Sequence, residues 1–140
     1  MSLRSELVSR SGEWTLRAPA STKALASLRA SVGFELPAAY LDLLRVSNGG
    51  EGDLAADPYW VELFTTEEVM PASEQLNTQE LAPGFLCIGT AGVELVALDL
   101  RHATPCPVVI LPDPPDPAKL RPLADNFEAF IGLLGIEGAG

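Results

Sequence analysis

Histidine occurs once in this 140-residue chain and cysteine twice, and from Val46 to Leu100 there is neither lysine nor arginine. Each shortage excludes a class of protein. A single histidine, His102, cannot anchor a histidine-rich metal centre, and its place just after a predicted strand reads as an exposed or locally hydrogen-bonded loop. Cys87 and Cys106 are too few and too far apart for a disulfide framework or a zinc site. The apolar run around Cys87 and the prolines flanking Cys106 make both buried, inert thiols. No apolar run approaches the ~18 residues of a membrane span, and the opening "MSLRSELVSRSGEW" lacks the apolar stretch of a secretory signal. The expectation is a cytoplasmic protein with no membrane association. Nucleophile-elbow, HExxH, P-loop and CxxC patterns are also missing. No catalytic residue, metal ligand or cofactor is therefore assigned.

The base-free span carries ten acids: Glu51, Asp53, Asp57, Glu62, Glu67, Glu68, Glu74, Glu80, Glu94 and Asp99. They equal the whole net charge of −10, so the two flanks together are neutral. Phosphate backbones are repelled by such a surface, which argues against direct nucleic-acid binding. A basic protein is attracted and steered toward it. Acidity also serves solubility alone, so charge by itself names no partner. Carboxylate pairs such as Asp53 with Asp57, or Glu67 with Glu68, read as solvated loop and helix-cap charges rather than as an acid/base pair.

What is present is enough apolar residue, 47%, for one core and one domain. Residues 1–17 read as an N-terminal arm or short strand, with Trp14 and Leu16 on one side. A single domain then runs over 18–134, and 135–140 reads as a flexible tail. "APASTK" supplies a helix start capped by Ser21 or Thr22, with Leu25, Leu28 and Val32 on one stripe and Gly33 as the stop. A second helix begins with Pro37 in its first position. It carries Tyr40, Leu41, Leu43 and Leu44 on one face, with the Tyr40 hydroxyl bonded locally and Asp42 paired with Arg45. The two helices are expected as a packed pair. Asn48-Gly49-Gly50 stops the second one, because Asn and Gly accept positive φ at little cost, and an acidic loop follows.

"YWVEL" alternates as a strand. "TTEEVMPASEQL" reads as a short helix capped by Thr65 or Thr66 that Pro71 interrupts. "FLCIGTAGVELVALDL" reads as a hairpin turning at Gly89-Thr90-Ala91-Gly92, with Leu95 to Leu98 central and covered on both faces. "PVVIL" gives another strand, and "PDPPDPAKLRP" a stiff connector unable to hold a helix or a central strand. Asp125 and Glu128 frame the last helix, whose Phe127, Phe130, Ile131 and Leu134 form a core stripe. Hairpin-linked strands between helices indicate α+β: a mostly antiparallel sheet packed by an N-terminal helix pair and a C-terminal helix.

Taken in order, "LPAAYLDLLRVSNGGEG", "PGFLCIGTAGVELVALDL", "PVVIL" and "LADNFEAFIGLL" resemble the SUKH superfamily of fungal cell-wall-assembly regulators and bacterial toxin-immunity proteins. The matching positions are Leu36, Pro37, Tyr40, Leu44, Asn48, Gly49, Gly50, Ile88, Gly89, Asp99, Phe127 and Phe130. The similarity spans roughly residues 18–134. At the hairpin many relatives look like Gly-Ser-Asp-Gly-Gly, where this chain has Gly89-Thr90-Ala91-Gly92-Val93. The resemblance implies an α+β fold, no enzymatic role, and binding to a co-encoded toxin, often a nuclease; the base-free acidic span independently favours a basic protein partner. The alternative it leaves is an intracellular scaffold or regulator that binds a host protein or peptide. Candidate contact residues are Glu51, Asp53, Asp57 and Glu62, with Trp60 as an aromatic anchor if it points away from the core.

Overall fold

The computed structural model describes residues 2–101 and 106–137, so His102 lies outside the described residues. Seven strands form one antiparallel sheet in chain order. They are β1 (Trp14–Leu16), β2 (Gly50–Asp53), β3 (Trp60–Leu63), β4 (Phe85–Ala91), β5 (Glu94–Asp99), β6 (Val108–Leu111) and β7 (Arg121–Ala124). The helices are α1 (Leu3–Val8), α2 (Thr22–Val32), α3 (Ala38–Val46), α4 (Thr66–Gln75), α5 (Thr78–Leu81) and α6 (Phe127–Ile131). The α+β class read from the sequence is the observed one.

Local chemistry accounts for the helix ends. Ser21 caps α2 by accepting the Ala24 N–H at 3.0 Å, and Gly33 closes it at φ 78°. Pro37 is the N-cap of α3 rather than its first residue, one position earlier than expected. Tyr40, Leu41, Leu43 and Leu44 are buried, and Asp42 meets Arg45 at 2.9 Å on the solvent side. The expected pairing of α2 with α3 is not the main helix contact: α2 packs on α4, while α3 meets α1 and α6. A groove lined by Ala26, Ala30, Phe34 and Leu41 separates the two.

Other expectations are corrected by the chain's geometry. Residues 3–8 are a helix within the supposed arm, too short for its single buried residue, Leu7, to show periodicity. Pro71 does not break α4. It forfeits one backbone bond, but Val69 and Ser73 are buried on either side of it and hold the turn. The turn of the β4–β5 hairpin is Gly92-Val93, because Gly89, Thr90 and Ala91 still pair within the strands. The connector after β6 ends in β7, an edge strand in which Pro122 is tolerated. Asn126, not Asp125, caps α6 by accepting the Ala129 N–H at 2.8 Å. Gly135 is fixed at both its polar atoms, donating to the Asp53 carbonyl at 2.8 Å and accepting from Gly12 at 3.0 Å.

The sheet's inner face is Val61, Leu63, Ile88, Val96, Leu98, Val108 and Ile110, covered by helices. Tyr40 and Phe127 meet edge to face there, with ring centroids 5.2 Å apart, and the Phe130 ring lies tilted against Phe127 with centroids 5.3 Å apart. Among the described residues the Tyr40 hydroxyl has no hydrogen-bond partner, contrary to expectation. A second cluster of Phe85, Cys87, Leu95, Ala97, Val109 and Leu111 packs the outer face of β4 to β6. Strand β5 is thus covered on both sides, as its sequence indicates.

Candidate functional site

The outer face of β1 to β3 carries no such cover, and the sequence explains which residues it presents. Alternation along "GEGD" turns Gly50 and Gly52 inward and Glu51 and Asp53 outward. The supposed acidic loop is therefore strand β2. Its glycines permit a close approach: a Cβ on Gly52 would lie 2.1 Å from the Glu13 carbonyl oxygen, and one on Gly50 would lie 3.0 Å from the Trp14 ring. Alternation along "WVELF" likewise buries Val61 and Leu63 and turns Trp60 and Glu62 outward.

Register then brings the candidates together. Glu51 stands directly opposite Glu62, and Asp53 directly opposite Trp60. Thr15 flanks Glu51 on one side, and Thr90 flanks Glu62 on the other. Residues opposite one another share a face, with Cβ atoms about 4.5–5.5 Å apart, and like charges so placed oppose folding. Among the described residues the ion pairs are Asp42–Arg45, Asp99–Arg101 and Glu94–Arg121. None involves Glu51, Asp53, Asp57 or Glu62. Trp60 is 41% exposed, so the indole does point away from the core.

Two candidates are less free than the rest. Asp53 accepts the Glu13 N–H at 2.7 Å through one carboxylate oxygen, tying the N-terminal segment to β2. Asp57 lies exposed in the β2–β3 connection, outside the strand register. It adds to the field that holds the Arg121 guanidinium above its ordinary pKa, after the larger effect of the Glu94 carboxylate bonded to it. Glu51, Trp60 and Glu62 form the compact part of the surface.

Signature positions read from the sequence prove to be braces. The Asn48 carboxamide oxygen accepts the Thr66 N–H at 2.7 Å, and its amide nitrogen donates to Glu67 at 3.3 Å. Asn48 thus caps α4 across eighteen residues of chain. Glu67 also accepts the Thr66 hydroxyl at 2.7 Å, and these bonds hold its carboxyl below the usual range, the Thr66 hydroxyl contributing most. Gly49 follows at φ 85°, with the Leu63 carbonyl oxygen 2.6 Å from where a Cβ would stand. Gly89 crosses β3 as closely, a Cβ there lying 2.3 Å from the Glu62 carbonyl oxygen. Asp99, buried at the end of β5, binds Arg101 through two nitrogens at 2.9 and 2.8 Å. That holds the guanidinium 4.7 Å above the Phe85 ring. Leu36, Pro37, Phe127 and Phe130 serve packing and capping.

Sequence reasoning missed Thr15, Phe64, Thr90 and Asp113 as neighbours of this face. Parity gives Phe64, two residues past Glu62. Only strand order reveals Thr90, and only the fold brings up Asp113, which lines a groove with Phe64 and Thr90. No group of histidines, cysteines and carboxylates among the described residues is arranged to hold a metal ion. Burial pushes the Cys87 and Cys106 thiols up to about 11. Among the described residues no helix is long and apolar enough to cross a membrane.

A family model described as the SMI1 / KNR4 family (SUKH-1) matches residues 19–132. No curated protein matches the chain.

Proposed function

The chain belongs to the SMI1 / KNR4 family (SUKH-1), and on that premise we propose that it is a non-enzymatic immunity protein that binds and neutralises a basic toxin encoded beside it. The observation that carries this reading is the open outer face of β1 to β3, where Glu51 and Glu62 stand opposite each other with no cation among the described residues paired to either. A partner's lysine or arginine supplies the missing charge, and Trp60 gives that contact an aromatic anchor. A nuclease suits the role, since it must present positive charge to its own substrate. An acidic inhibitor can cover that charge and associate quickly.

The test is titration of the adjacent gene's product by calorimetry at 50 and 300 mM salt, with Glu62→Lys as the variant. The expected result is a complex whose affinity falls with salt and falls at least tenfold further on charge reversal. Absence of a complex, or indifference to salt, would overturn the reading. The family match supports a second role equally, a scaffold or regulator of a host protein or peptide. On that reading pull-downs recover housekeeping proteins and the neighbouring gene encodes no toxin.

A further inference from the structure

The acidic face does not end at Glu62. Along β3 the outward positions are Trp60 and Glu62, with Phe64 just past the strand's end, and across the sheet Glu62 is followed by Thr90 and Leu95. There the surface drops into a groove of about 440 Å³ between α4 and the sheet. Phe64, Leu76 and Leu95 supply an apolar floor, and Glu67, Glu68 and Asp113 supply carboxylates around it. No lysine or arginine lines the groove.

Two of those carboxylates are positioned by the fold. Glu68 returns to the Thr65 N–H at 2.9 Å, and Glu67 is held by Thr66 and Asn48. Their remaining lone pairs face solvent, since both residues are exposed. Asp113 stands apart, on the segment leaving β6, and forms no ion pair among the described residues. An apolar floor under a negative rim matches one kind of side chain, a long aliphatic stem ending in a cation. A purely apolar group leaves the carboxylates without a counter-charge, and an acidic one is repelled. A groove of this size takes a side chain rather than a folded element.

We propose that this groove receives one lysine or arginine side chain of the basic partner, its stem on Phe64, Leu76 and Leu95 and its cation between Asp113 and the Glu67–Glu68 pair. The inference rests on the reading of the adjoining face as a docking surface, and extends that surface onto the far side of β3. It places the partner across both β3 and the first turns of α4.

The full-length protein is titrated with N-acetyl-arginine amide, N-acetyl-lysine amide and, as the uncharged control, N-acetyl-norleucine amide. Binding is read from amide chemical shifts. The expected result is saturable shifts at Thr90, Leu95 and Gln75 with both cationic probes and at least fivefold weaker ones with norleucine amide. The Glu68→Gln/Asp113→Asn variant, which keeps a cap acceptor at position 68, should weaken the cationic probes about fivefold with an unchanged unfolding midpoint. Equal response to norleucine amide overturns the proposal, as do shifts confined to Glu51, Trp60 and Glu62. In that last case the docking face survives without the groove. Groove binding by the probes alongside failure of the adjacent gene's product to bind would instead remove the immunity reading and leave the groove.

Discussion

Asn48 shows how a residue legible as a turn former acquires a role that spacing cannot reveal. Its side chain satisfies the first N–H of α4, at Thr66, a buried residue whose N–H loses its acceptor when the side chain is removed. Asn48→Ala should therefore cost about 1–2 kcal/mol, read as a lower urea midpoint with an unchanged slope. Asn48→Asp restores the acceptor but sets a second carboxylate beside Glu67, so it should recover only part of the loss. If both variants match the native midpoint, the brace contributes nothing to stability. Tyr40 teaches the opposite lesson. Its burial is plain from the helical stripe, but whether a hydroxyl finds a partner depends on atoms from other elements, and among the described residues it finds none.

Elements with a strong internal signal are legible in the sequence: α2, α3 and β3 lie where helical stripes or alternation put them, and β5 and β6 where continuous apolar runs do. Those that depend on neighbours were not. Strand β2 has no apolar residue, and its glycines are accepted only because Trp14 of β1 and the Glu13 backbone lie against them. β7 contains a proline and exists because β6 offers it an edge. The acidic site was legible as composition, since the absence of bases is visible along the chain, but the facing of Glu51 and Glu62 needed the register of two strands. Gly52→Ala tests the close packing of that sheet edge. The added methyl collides with the Glu13 carbonyl and must displace β1, at about 2–3 kcal/mol. Hydrogen exchange should show faster amides in β1 and β2, with β5 still protected. Uniform loss of protection would mean that β1 is integral to the global cooperative unit.

At the scale of the whole molecule, a surface kept for binding should oppose folding, and the Glu51–Glu62 contact makes that measurable. Two carboxylates directly across a strand pair repel each other, and no cation among the described residues pairs with either one. The net charge of −10 adds a longer-ranged repulsion to the folded state. Neutralising one member by Glu51→Gln keeps size and shape while removing the repulsion. The variant should be more stable than the native chain by a few tenths of a kcal/mol at low ionic strength. Added salt should raise the native chain's unfolding midpoint and narrow the difference, because screening acts on the same repulsion. Binding to the proposed basic partner should move in the opposite direction, weakening as stability rises. A stability gain without a loss of affinity would show that the pair is only a solubilising charge. A loss of stability would show that Glu51 makes a favourable contact within the fold, and the acidic face would then be architecture rather than a docking surface.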